Sequence, residues 1–152
     1  LTPDIFCSNK LRLMPEATLF HFGVLTSTVH NAWMRAVCGR LETRYDYSIK
    51  IVYNNFPWCS PTDSQKAKIE STAQGILDAK AKYPDASLAD LYDDTAMPPD
   101  LRKAHRENDR AVMEAYGFAG TRGHAPLSEA EIVGELFKMY EKLCANLTNL
   151  LP

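Results

Sequence analysis

The sequence predicts an α+β fold, a helix and a β segment at the end of a mixed domain followed by a small all-α subdomain of about four helices, with helix predominating. Three observations carry this. Apolar residues recur every three or four positions from Pro15 to Cys38. The period then drops to two between Arg40 and Tyr53. From Thr62 onward, helix-start and helix-stop signals repeat to the end of the chain.

Taken in order, Leu19, Phe22, Leu25, Val29, Trp33 and Val37 form the first helical stripe, with a break expected near Gly23 and an end at Gly39. Leu41, Thr43, Tyr45, Tyr47, Ile49, Ile51 and Tyr53 then alternate with charged and polar neighbours, as in a strand with its aromatic and β-branched side chains turned inward. This stretch exceeds a usual strand, so a turn or bulge is expected near Asp46 to Ser48. Thr62 with Gln65 reads as a capping box for a helix carrying Ile69, Ala73, Ile76, Leu77 and Tyr83 and stopped by Pro84. Ser87 with Asp90 begins a short helix through Leu88 and Leu91. Pro98 and Pro99 open the next, whose stripe is Leu101, His105, Val112, Ala115 and Tyr116, closed by Gly117. Ser128 with Glu131 caps the last, which carries Ile132, Val133, Leu136, Phe137, Tyr140, Leu143, Cys144 and Leu147. The organisation read from this is 1–60 and 61–152.

Composition bounds the function. Of 152 residues, 45% are apolar and 10% aromatic, enough for a packed core. The first residue is leucine and no signal segment follows, so the chain is expected to be an excised piece of a cytoplasmic protein. Its longest apolar stretch, Leu19 to Val37, is interrupted by His21, His30, Asn31 and Arg35. Cys7, Cys38, Cys59 and Cys144 have no paired spacing, which argues against a zinc site or a disulfide frame. The net charge of -2 divides unevenly: residues 1–60 carry six Lys/Arg against four acids, the remainder eleven against fifteen. A polyanion would therefore meet the first part.

No catalytic set emerges. Asn55-Phe56-Pro57-Trp58 is one residue away from the Asn-Pro-Pro-aromatic tetrad that holds an exocyclic amine in amino-methyltransferases. Phe56 removes half of the turn constraint, and the glycines from Gly117 to Gly123 are wrongly spaced for a donor-binding loop. A packed strand end explains these residues better. His21, His30, His105 and His124 lack ligand spacing, and His105 suits pairing with Asp109. No serine sits in a Gly-x-Ser-x-Gly turn.

The polar edge of the β segment is more informative. Glu42 and Arg44, two apart, would stand about 6.6 Å from one another along one strand face. Arginine pairs with guanine O6 and N7, and glutamate accepts from the cytosine amine, so the two suit a G·C pair. Arg40, Glu42, Arg44 and Asp46 equally suit a solvated strand face laced by weak ion pairs.

Longer blocks carry a resemblance. Phe22-Gly23-Val24-Leu25-Thr26-Ser27, His30-Asn31-Ala32-Trp33, Gly39-Arg40-Leu41, Tyr45-x-Tyr47-Ser48 and Val52 to Trp58 resemble the end of the target-recognition domain in MmeI-like type II restriction-modification proteins and their stand-alone methylase relatives. Leu88 to Asp93, Met97-Pro98-Pro99-x-Leu101, Asp109-x-Ala111-Val112 and Ala115 to Phe118 look like the family's C-terminal helical domain. The resemblance runs from about residue 15 to 145. It implies a parent that methylates an adenine amino group of double-stranded DNA, with S-adenosylmethionine and the catalytic residues on sequence outside this chain and, in some members, a nuclease. It also implies that Glu42 and Arg44 read bases and that Arg35, Arg40 and Lys50 contact phosphates. Arg40 alternatively braces the strand. Residues 61–152 are expected to clasp the recognition part against the methyltransferase and target-recognition portions outside this chain. A purely structural docking module without DNA contact is the alternative.

Overall fold

The computed structural model describes residues 13–41, 44–93, 95–121 and 125–148. The chain is α+β with helix predominating. Its elements are α1 (Leu19–Thr26), α2 (Thr28–Val37), β1 (Gly39–Leu41), β2 (Arg44–Asp46), a π-helical turn (Ile49–Tyr53), α3 (Asp63–Ala81), α4 (Leu88–Leu91), α5 (Pro99–Tyr116) and α6 (Glu129–Thr148).

The first helical stripe does break, but at Ser27 rather than Gly23. Ser27 is extended, with φ -74° and ψ 161°, and its hydroxyl accepts from the His30 amide to start α2. Gly23 lies inside α1 because that turn presses on two other helices. A Cβ there would stand 2.7 Å from Ile69 Cγ2 and 2.9 Å from Asn108 Oδ1. The break frees backbone groups that α5 answers. The Ser27 amide turns to Val24 O, while Asn108 Nδ2 donates to Gly23 O at 2.8 Å. Across the break, the Thr28 amide donates to Asp109 Oδ1 at 2.8 Å. Buried Asn108 also accepts from the Thr72 hydroxyl of α3, so one carboxamide joins three helices.

The long strand expected over 40–53 is not present. Gly39–Leu41 and Arg44–Asp46 form a two-stranded antiparallel hairpin in which Arg40 faces Tyr45 and Leu41 faces Arg44. The reversal thus falls before Arg44, not at Asp46 to Ser48. Beyond it, Ile49–Tyr53 coils into a π-helical turn closed by Asn54 N to Ile49 O at 2.9 Å. The inward set changes accordingly: Val52 is fully buried, whereas Tyr45, Tyr47, Ile49 and Ile51 are each at least 36% exposed. Period-two alternation misled because Ile, Val and Tyr fit either a strand or one turn of a wide helix.

The later helices follow their local signals. Thr62 and Gln65 cap α3 reciprocally, and Ser87 with Asp90 does the same for α4. Pro99 occupies the first turn of α5, and Gly117 ends it at φ 75°. Ser128 and Glu131 cap α6 through the Ser128 amide and hydroxyl. His105 and Asp109 interact through charge, each favouring the other's ionised form, while His105 Nε2 hydrogen-bonds Tyr92 Oη at 2.9 Å and Asp109 Oδ1 accepts from the Thr28 amide of α2.

One apolar core spans both halves of the chain. Trp33 and Phe56 from the first meet Ile69, Val112, Phe118 and Leu136 from the second. A smaller cluster of Ile76, Leu91 and Leu101 closes the far end of α3 and α5. Gly23→Ala and Asn108→Ala should each lower stability by about 1–3 kcal/mol, the first by overpacking and the second by orphaning a carbonyl. Urea denaturation midpoints measure this, and an unchanged midpoint for Asn108→Ala would mean that α1 and α2 meet without help from α5.

Candidate nucleic-acid interface

The hairpin stands on α2 and is tied to it by side chains. One residue after β2, Tyr47 Oη lies 3.0 Å from His30 Nε2, and the two rings sit 5.9 Å apart. One turn further along α2, Trp33 Nε1 donates to Val52 O at 3.0 Å and holds the π-helical turn. His30 in turn meets Phe56 edge to face at 4.6 Å. This stack explains the near-tetrad. Asn55 Nδ2 donates to Lys50 O and Ile51 O, at 3.1 and 3.0 Å, closing the π-helical turn. Phe56 and Pro57 are buried, and Pro57 O accepts from Tyr116 Oη at 3.1 Å. Trp58 packs on Phe56 and Tyr53. Asn55 is thus committed through its amide nitrogen to the π-helical turn, and Phe56 and Trp58 to aromatic packing, a structural use for these residues of the near-tetrad.

The expected site residues fall in distinct settings. Arg40 and Tyr45 are cross-strand partners on one hairpin face, with the guanidinium 4.8 Å from the ring centroid. Arg44, opposite Leu41, belongs to the other face and is exposed. Glu42 lies outside the described residues. Lys50 is exposed on the π-helical turn. Arg35 is the most constrained: Nε and Nη2 form a fork on the Glu129 carboxylate at 2.7 and 3.0 Å, joining α2 to the start of α6. That hydrogen-bonded fork pushes the Arg35 pKa up and holds Glu129 below the usual carboxylate range.

Sequence reasoning missed Tyr45, Tyr47 and His30. Two tyrosines spaced by one residue look like inward-facing strand residues, yet Tyr45 supports an arginine and Tyr47 reaches back to α2. The signal was the polar end of each ring, which a dry strand face would leave without a partner. Between α2 and residues 47–53 lies an open apolar cleft of about 700 Å³, bordered by Leu13, Met34, Tyr47 and Tyr53. Among the described residues no helix is long and apolar enough to cross a membrane, and no cluster of His, Cys, Asp and Glu could hold a metal ion.

Comparison with known proteins gives the class first. Residues 1–60 match the family described as "MmeI, target recognition domain", and residues 61–148 match "MmeI, C-terminal domain". The chain therefore belongs to the MmeI family of restriction-modification proteins. It is 34% identical over 140 residues to "DNA methyltransferase A" of Bacillus subtilis (strain 168), an alignment covering 92% of this chain and 15% of that protein. A solved structure of the type IIL restriction-modification enzyme MmeI in complex with DNA superposes with a TM-score of 0.79 at 47% identity, over 86% of this chain and 17% of that one. The chain thus spans about one sixth of each relative's length. The two matched regions meet at Ser60 and Pro61, beside the start of α3.

Burial makes His30 a titrating support. Desolvation lowers its pKa from the ordinary 6.5 to about 4, so the folded protein keeps it neutral. The unfolded chain takes up a proton between those values and the folded one does not. Stability from this residue is complete above pH 6.5 and is lost as pH falls toward about 4. The expected loss is about 3 kcal/mol. Urea midpoints measured across this range should fall with acidification and fall less steeply in His30→Gln; equal slopes would show that His30 does not control the acid limb.

Proposed function

We propose that this chain supplies the reading end of a site-specific, S-adenosylmethionine-dependent DNA adenine methyltransferase, with residues 1–60 addressing DNA and residues 61–152 acting as a clasp. The observation that carries the reading is the exposed hairpin, bearing Arg44 and the Arg40–Tyr45 pair, inside the region similar to a target recognition domain. A two-stranded ribbon fits the major groove of B-DNA, where arginine addresses guanine O6 and N7 and glutamate accepts from the cytosine amine. In this reading Arg44 and Glu42 discriminate bases. Arg40, held over the Tyr45 ring, and Lys50 contact phosphates, which position without specifying. Arg35 contacts a phosphate only by surrendering Glu129, so it serves chiefly as the brace between the two parts.

The methyl donor and the amine-transfer residues belong, in this proposal, to other portions of the parent protein. Residues 61–152 dock the recognition part onto those portions. Their acidic balance and the core they share with α2 and Phe56 favour a scaffold over a second DNA surface.

In a full-length protein carrying this chain, Arg44→Ala should reduce discrimination at one base position by about 5- to 150-fold, equivalent to about 1–3 kcal/mol. Combined replacement of Glu42 by Lys and Arg44 by Asp should redirect methylation at that position. Sequencing of modified bases in genomic DNA reads both outcomes, and an unaltered methylation pattern would remove base reading from these residues.

A further inference from the structure

We propose that His30 and Tyr47 are a positioning pair for the reading hairpin, fixing where Arg44 stands relative to α2 and so setting the fidelity of base choice. The inference rests on the hairpin being the reading element. It goes further in assigning a specificity role to two residues that need not touch DNA.

The pair has features that a filling contact lacks. His30 is 3% exposed, and its Nε2 is engaged by the hydroxyl of Tyr47, whose own residue is 40% exposed. The bond therefore runs from the core outward, joining a buried imidazole to a partly exposed ring at the surface. Tyr47 directly follows β2 and lies only three positions along the chain from Arg44, a span of at most about 10 Å. A shift of Tyr47 therefore carries β2 with it.

The post itself is rigid. Phe56 braces the imidazole edge to face at 4.6 Å, and the Ser27 hydroxyl accepts from the His30 amide in the first turn of α2. Its Nδ1 is buried without a hydrogen-bond partner among the described residues, a cost in stability that an apolar side chain would avoid. The Tyr47 bond is what the imidazole contributes in return. Trp33, three residues later on the same helix, supplies the second anchor through Val52 O. Two anchors on one helix face fix both position and tilt of the segment from Arg44 to Val52, where one would leave a swivel.

The test uses the full-length protein carrying this chain, with Tyr47→Phe, His30→Gln, His30→Asn and Arg44→Ala. Tyr47→Phe keeps the ring and loses only the hydroxyl. Glutamine reproduces the reach of Nε2, whereas asparagine reproduces that of Nδ1. Methylation rates are measured on the preferred site and on sites changed at the one base that Arg44 controls. Tyr47→Phe and His30→Asn should lower discrimination at that base by about 3- to 10-fold, as expected for one hydrogen bond. His30→Gln should recover most of it. In an Arg44→Ala background Tyr47→Phe should cost no further discrimination.

A purely structural role would instead lower the melting temperature and slow methylation equally on all sites, which would overturn the inference. So would unchanged discrimination in Tyr47→Phe while Arg44→Ala relaxes it; base reading would then survive without the positioning pair. If Arg44→Ala leaves site choice intact, base reading itself fails and the pair has nothing to position.

Discussion

Breaking a helix leaves amides and carbonyls without their ladder partners, and the interruption at Ser27, itself fully buried, sets that problem at the edge of the core. Two consecutive residues of α5 resolve it. Asn108 takes the Gly23 carbonyl at the end of α1, and Asp109 takes the Thr28 amide at the start of α2. A carboxylate at a helix N-terminus also meets the positive end of the helix dipole. Burial pushes the Asp109 pKa up, and the hydrogen bonds from Thr28 pull the other way. The angle between α1 and α2 is thereby fixed by α5, and everything mounted on α2 inherits it. That includes His30, Trp33, the π-helical turn and the hairpin.

This dependence explains why the chain has one core even though two family descriptions meet at residue 60. The recognition part shares its apolar residues with the second part: Trp33 packs against Phe137 and Tyr140 of α6 at 5.1 and 6.1 Å, as well as against Phe56. The Arg35–Glu129 fork lies on the same contact and is half open to solvent, so it adds orientation more than stability. The core of the first part is completed by side chains of the second.

Legibility of the sequence followed how locally each feature is determined. The capping boxes at Thr62, Ser87 and Ser128 and the glycine at Gly117 act within one turn, and the helices they begin or end stand where the sequence put them. The break at Ser27 was misplaced to Gly23 because glycine signals a break only when the third dimension is ignored. Gly23 is small to admit Ile69 and Asn108, from residues more than forty positions away. The run from Arg40 to Tyr53 failed for a related reason. Its alternation is real, but Trp33 and Asn55 capture backbone carbonyls of residues 50–52 and stabilise a coil over a strand. Asn108 escaped notice altogether, since an asparagine in an apolar stripe looks like an interruption until its partners are known. Of the site residues, Arg35, Arg40, Arg44 and Lys50 were legible as charges, but which ones are braced depends on Glu129 and Tyr45.

The arrangement of anchors bears on how a recognition surface can vary while its scaffold stays constant. Side chains that hold the segment do so mainly through backbone atoms: Trp33 through Val52 O, and Asn55 through Lys50 O and Ile51 O. Such contacts are indifferent to the side chains at positions 50–52, so exposed residues there can change without loosening the turn. Tyr47 is the exception, because its own hydroxyl makes the bond. A hairpin held by carbonyls alone would accept any sequence but in a loose register, whereas a side-chain pin restricts one position and fixes the rest. Placing that pin beside β2, and not within it, keeps the bond to α2 off the hairpin's own strands while limiting how far they can wander.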